Sequence, residues 1–126
     1  MLLDTHAFLW WITDDPRLSG RAREVISDGR NELYFSAASG WEIAIKAGLG
    51  RLEISGDLQR FVAEQLSRNA IQTLPIHLSH VLHTSALPSH HGDPFDRILV
   101  SQALLEKMPL MSADPQITRY PVEVVW

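Results

Sequence analysis

Five carboxylates, Asp4, Glu42, Asp93, Asp96 and Asp114, stand where short apolar runs give way to polar turns. Asp4 ends Met1-Leu2-Leu3, Glu42 follows Leu33-Tyr34-Phe35, and Asp114 follows Pro109-Leu110-Met111-Ser112. Asp93-Pro94-Phe95-Asp96 opens a long apolar-periodic stretch. Each acid has a structural use of its own. Asp93 reads as an N-cap before a Pro at the first helical position, and Asp96 as an acid facing the helix dipole. Asp114-Pro115 repeats the first two parts, Ser39-Gly40-Trp41-Glu42 matches a capping box, and Asp4 suits the cap of a helix from Thr5. Together the acids carry a second meaning. Carboxylates within a few ångströms repel one another and cost stability unless a cation sits among them. Hard oxygen ligands without cysteine suit Mg²⁺ or Mn²⁺. Such ions activate water and clamp a phosphodiester for in-line attack. The chemistry to expect is metal-dependent phosphodiester hydrolysis.

The elements that must position these acids follow from periodicity. Strands are predicted over 1–3, 33–35, 71–74, 109–112 and 122–125. Helices are predicted over 5–12, 19–27, 40–47, 57–67, 78–87 and 94–107, with a short turn of helix after Asp114-Pro115. Gly48 and Gly50 end the third helix, and residues 89–92 form a loop. Short apolar strands alternating with helices give an α/β fold: a three-layer α/β/α domain with a central parallel sheet of about five strands. In such a sheet the helix starts that follow strands lie at the carboxyl edge, where ligands bind. Asp4, Glu42, Asp96 and Asp114 are expected to converge there, with Asp93 beside Asp96.

The chain has 126 residues, 45% of them apolar and 21% charged, which is one domain, residues 1–126, with one core. It has no cysteine, so disulfides and thiolate sites are excluded. The apolar run Ala7-Phe8-Leu9-Trp10-Trp11-Ile12 falls far short of a membrane span of about 20 residues. No basic stretch precedes it, as a signal peptide requires, so a soluble cytoplasmic protein is expected. Net charge is −4, which on its face disfavours a nucleic-acid binder. Setting aside the five acids as one metal site leaves the rest of the chain at +1. The metal itself is then expected to supply much of the attraction for a polyanion.

Four segments resemble the PIN-domain proteins. They are Leu2-Leu3-Asp4-Thr5, Ser36-Ala37-Ala38-Ser39-Gly40-Trp41-Glu42-Ile43-Ala44-Ile45-Lys46, His90-His91-Gly92-Asp93-Pro94-Phe95-Asp96-Arg97-Ile98-Leu99, and the stretch from Leu110-Met111-Ser112-Ala113-Asp114 to Tyr120. The likeness is to the VapC-type toxins of toxin–antitoxin pairs, in the branch with an HH-x-DPFDR signature, and it spans essentially the whole chain. The resemblance implies a Mg²⁺- or Mn²⁺-dependent endoribonuclease. It places Asp4, Glu42 and Asp96 as core metal-binding acids, Asp114 as the fourth acid and Asp93 within the branch signature. Thr5 and Ser112 fall where the family often has small hydroxyl residues. The resemblance also implies a homodimer and a cognate antitoxin that inserts a segment into the active-site groove.

Further residues have two readings each. Lys46, one turn after Glu42, suits an ion pair or a phosphate contact. Arg97 suits phosphate binding or a tie between carboxylates, and His6 suits the groove wall. His77, His80 and His83 share a helix face and suit a zinc or nickel site, or surface and interface positions, since no carboxylate or Cys completes the set. His90 and His91 suit steadying the acidic loop or contacting phosphate. Of Trp10 and Trp11, one is expected in the core and the other at a partner surface. Arg17, Arg21 and Arg23 are expected on a solvated face. A receiver domain would need an acidic pair at the first strand, which has only Asp4. A haloacid-dehalogenase-type phosphatase would need an Asp at position 6, which is His. The remaining alternative is a non-catalytic metal-, nucleic-acid- or protein-binding module that retains the acidic cluster.

Overall fold

A computed structural model of the chain describes residues 1–89 and 92–126. In chain order the elements are β1 (Leu2–Leu3), α1 (Thr5–Ile12), α2 (Gly20–Ser27), β2 (Leu33–Ser36), α3 (Ala37–Gly48), α4 (Leu58–Arg68), β3 (Ile71–Leu74), α5 (Leu78–His83), α6 (Pro94–Leu105), β4 (Leu110–Met111) and β5 (Val124–Val125). Short 3₁₀ turns cover Thr84–Ala86 and Ile117–Arg119. The sheet order is β3-β2-β1-β4-β5, and each paired strand is parallel to its neighbour.

Successive strand residues point to opposite faces, and both faces here are covered. Leu3, Phe35, Met111 and Val125 pack with Ala7 and Phe8 of α1, Ala22 and Ile26 of α2, and Val62 and Leu66 of α4. Leu2, Leu74 and Leu110 pack on the other side with Leu99, Val100 and Ala103 of α6. The three layers expected from the sequence are therefore present. The strand order reverses direction between β1 and β4, so a crevice opens beyond their carboxyl ends.

Two boundaries differ from the sequence reading. The third helix begins at Ala37, three residues before Gly40, because Ser36 caps it: Ser36 Oγ accepts the Ala38 N–H at 3.0 Å. The fifth helix stops at His83 and tightens into the 3₁₀ turn, short of Leu87. At the end of α3, Gly50 takes a left-handed φ of 71°. The Arg51 N–H then bonds to the Lys46 carbonyl (2.9 Å) and the Gly50 N–H to the Ala47 carbonyl (3.2 Å), the paired bonds of a Schellman cap.

Candidate active site

Asp4 sits directly beyond β1 and Ser112 directly beyond β4, so both stand at the point where the strand order reverses. Asp4 is the N-cap of α1, and its Oδ1 accepts the Ala7 N–H at 2.7 Å. Unlike most caps it is buried, with 7% of its surface exposed. Burial pushes its pKa above the usual carboxylate value, opposed by hydrogen bonds from Ser112 and Ala7 and by the nearby His6, and reinforced by the charge of Glu42. Ser112 Oγ also accepts the Asp114 N–H at 3.1 Å, which links the backbone of Asp114 to Asp4 through one hydroxyl.

Glu42 reaches the same place from α3. Its Oε1 lies 2.7 Å from Thr5 Oγ1, which in turn lies 2.9 Å from Ser39 Oγ. Thr5 has one proton to give and the carboxylate is the stronger acceptor, so Thr5 donates to Glu42 and Ser39 donates to Thr5. The other oxygen of Glu42 faces Lys46 Nζ at 2.9 Å. Asp93 caps α6 through the N–H groups of Phe95 (2.9 Å) and Asp96 (3.1 Å). It also lines, with Glu42, His6 and Lys46, a cleft of about 390 Å³. Asp96 stands half-buried in the first turn of α6. Asp114 accepts the Gln116 N–H at 2.9 Å, an Asx turn.

The structure thus brings Asp4 and Glu42 together, with Asp93 on the same cleft as Glu42. Among the described residues, no three His, Asp or Glu side chains gather closely enough to form a metal-sized group. The donor chemistry nonetheless fits a hard divalent cation. Asp4 is desolvated, a second carboxylate repels it, and the carboxylates offer hard oxygen ligands. The cation now facing Glu42 is the Lys46 ammonium.

Comparison with known proteins identifies the family and agrees with the fold. A family model described as PIN domain matches residues 1–123. The chain belongs to the PIN-domain family. Ribonuclease VapC22 of Mycobacterium tuberculosis is 32% identical to this PIN domain over 130 residues, covering 100% of this chain and 98% of the relative. Ribonuclease VapC16 of the same organism is 35% identical over 75 residues, 56% of this chain and 53% of the relative. Two solved structures share the fold. The VapBC2 structure from Rickettsia felis, bound to a DNA fragment from its promoter, matches with TM-score 0.71 at 15% identity, covering 98% of this chain and 96% of that one. The FitAcB structure from Neisseria gonorrhoeae matches with TM-score 0.67 at 16% identity, covering 99% and 96%.

Several readings of the sequence need correction in this PIN domain. Ser39 does not cap a helix with Glu42; it is buried inside α3 against Thr5, and Glu42 lies in the second turn. Arg97 does not turn to the acids. Its guanidinium donates to the carbonyls of Thr84 (2.8 Å) and Pro88 (2.9 Å) and lies 3.1 Å from Tyr120 Oη, stapling the segment before α6. Lys46, by contrast, forms the ion pair with Glu42, one of its two readings. His80 is no surface residue: it is 1% exposed, its Nδ1 accepts the His77 N–H at 3.0 Å, and its Nε2 faces Glu106 Oε1 at 3.0 Å. Glu106 is the carboxylate that the histidine reading lacked, because it is distant in sequence. His90 and His91 lie outside the described residues. Trp10 and Trp11 are both half-buried, with Trp11 Nε1 donating to Asn69 at 2.9 Å. Arg51, which also lines the cleft, was not singled out from the sequence; the Gly50 cap signal next to it is the feature that locates it.

Proposed function

We propose that this chain is a metal-dependent endoribonuclease, a single nuclease domain over residues 1–126, acting in the cytoplasm as the toxin of a toxin–antitoxin pair. One observation carries the reading. A buried Asp4 stands against Glu42 at the strand-order reversal of a PIN-domain sheet. The whole-length likeness to a relative named a ribonuclease supports RNA as the substrate.

Asp4, Glu42, Asp96 and Asp114 would hold Mg²⁺ or Mn²⁺, with Asp93 as a further candidate. The ion supplies the positive charge that acidifies water and stabilises the phosphorane-like transition state. The chain's own groups do the positioning. Ser112 orients Asp4, and Thr5, backed by Ser39, orients Glu42. Lys46 offsets the Glu42 charge, and His6 stands at the cleft mouth as a substrate contact. Water adds to phosphorus, the P–O3′ bond breaks and the 3′ oxygen takes a proton. The products carry a 5′-phosphate and a 3′-hydroxyl. No helix among the described residues is long and apolar enough to cross a membrane. A second copy of the chain is the partner for the exposed Leu78, Val81 and Leu82 of α5, a stripe that a lone monomer leaves in water. A cognate antitoxin is the second protein partner.

The test is Mg²⁺- or Mn²⁺-dependent cleavage of an RNA panel by wild type and Asp4→Asn, with circular dichroism to confirm folding. Asp4→Asn should lose activity and metal binding. Undiminished cleavage by the folded variant, or a 2′,3′-cyclic product, would sink the reading.

A further inference from the structure

The cleft holding Glu42 does not end at the acids. A second cleft of about 430 Å³ adjoins it, and His6, Lys46 and Arg51 line both. Two of the cations along this track are already matched. Lys46 faces Glu42 at 2.9 Å, and Arg17 pairs with Asp15 at 2.8 Å. Arg51 is exposed and, among the described residues, makes no ion pair. Its position is not that of a wandering side chain on a loose loop. The Schellman cap at Gly50 ties the Arg51 backbone to the Lys46 carbonyl, four residues after Glu42. A guanidinium carried on this fixed backbone beside a carboxylate site, with no ion pair of its own among the described residues, suits a phosphate in shape and charge.

An aromatic ring stands next to the first cleft, against Phe95 of its lining. Trp41 precedes Glu42 in α3 and is 62% exposed. Its ring meets Phe95, which lines the cleft, edge to face with centroids 5.2 Å apart. That contact fixes the indole and still leaves most of the residue in solvent. Trp10, in the second cleft, differs. His6 stacks on it at 5.4 Å, the Arg17 guanidinium lies 4.9 Å from its ring centre, and Trp126 meets it edge-on. Its surfaces are taken, so Trp41 is the ring open to a ligand. A positive groove with an accessible aromatic ring is how proteins hold single-stranded nucleic acid without reading its sequence.

Resting on the ribonuclease reading above, we propose that Arg51 binds a phosphate of single-stranded RNA beside the scissile one and that Trp41 stacks on a neighbouring base. The strand then lies along the two joined clefts past Glu42. The stacked base sits toward Phe95 and the flanking phosphate toward His6. This deepens the substrate assignment: the track selects unpaired RNA, because a paired base offers no free face to Trp41.

The experiment measures binding of a fluorescein-labelled, mixed-sequence single-stranded 12-mer RNA to the full chain, with Ca²⁺ replacing Mg²⁺, across a salt series. Arg51→Gln should raise Kd about tenfold and reduce the salt slope by about 0.7, the loss of one single-strand phosphate contact. Trp41→Leu should raise Kd about 5- to 100-fold with the salt slope unchanged. Arg21→Gln, on the exposed side of α2, should change neither. In Mg²⁺-supported cleavage both groove variants should raise KM and leave kcat near wild type. If wild type neither binds nor cleaves RNA, the ribonuclease reading itself fails and takes the track with it. If wild type cleaves while both variants bind as wild type does, or Arg21→Gln loses as much as Arg51→Gln, the track alone is overturned. It is equally overturned if both variants keep RNA and lose a polypeptide partner instead, since the face then serves protein recognition.

Discussion

Asp4 shows how a candidate site residue costs its own fold. Its folded pKa is raised above the ordinary value of 3.8, chiefly by burial. The folded state therefore holds the Asp4 proton to higher pH than the unfolded chain does, and the stability Asp4 contributes falls as pH rises through that window. As pH rises through that window the metal-free protein takes on the cost of a buried charge beside Glu42. Asn keeps an oxygen for the Ala7 N–H and carries no charge. Metal-free Asp4→Asn should melt higher than wild type near neutral pH, with the gap closing as pH falls toward 3.8. Thermal melts across pH check this, and a gap independent of pH would count against it. Asp15 runs the opposite way. The Arg17 side chain, first among the causes, holds it at about 2. What it contributes to stability is present above 3.8 and lost as pH falls through about 2. An NMR titration should place Asp15 near that value in wild type, and Arg17→Ala should return it toward 3.8.

At the scale of elements, side chains that resemble site residues turn out to join helices to their neighbours. Arg97 gathers the carbonyls of residues 84 and 88 onto α6, and its planar fork is what spans them. Arg97→Lys should therefore lower the melting temperature nearly as much as Arg97→Ala, whereas a phosphate-binding role would let Lys substitute; melting curves for both variants decide. Gln102 joins α6 to β2 in the same manner. Ser36 Oγ donates to its Oε1 at 2.6 Å, and its Nε2 donates to the Pro75 carbonyl at 3.1 Å. Gln102→Leu leaves the buried Ser36 hydroxyl without its acceptor and should cost about 1–3 kcal/mol in chemical denaturation. The beginnings of these elements were readable only in part. Asp93 caps α6 where the sequence places its cap, and Ser19 and Asp57, at the predicted helix starts, cap α2 and α4, because the choice is local. For α3 the sequence points to Ser39 as the cap. Packing chose Ser36, since Ser39 is drawn to Thr5 from another helix.

The whole molecule leaves an apolar stripe on α5, where Leu78 is 71% and Leu82 62% exposed. Pairing with a second copy would cover it. Leu82→Asp should give a monomer by analytical ultracentrifugation, with an unchanged circular dichroism spectrum, while wild type sediments as a dimer. An unchanged wild-type-like dimer in the variant would remove α5 from the interface. The overall charge of −4 also takes on meaning at this scale. The acid pair is concentrated at one end of the sheet, and Arg51 and Lys46 stand beside it, so net charge says little about the field at the cleft.

The amino-acid sequence by itself determined the α/β class, the strand and helix order, and the placement of Asp4 and Asp114 just beyond strands. Those features rest on periodicity, turn residues and capping, all of which act over a few residues. The family likeness was legible as well, because its motifs are contiguous. Only the tertiary structure decided the strand order that sets Asp4 against Ser112, the burial of His80 on Glu106 and the diversion of Arg97 to backbone carbonyls. Each of these joins residues from different parts of the fold. Their partners are chosen by which faces pack together and which buried donors and acceptors must be satisfied, and no local pattern records that choice.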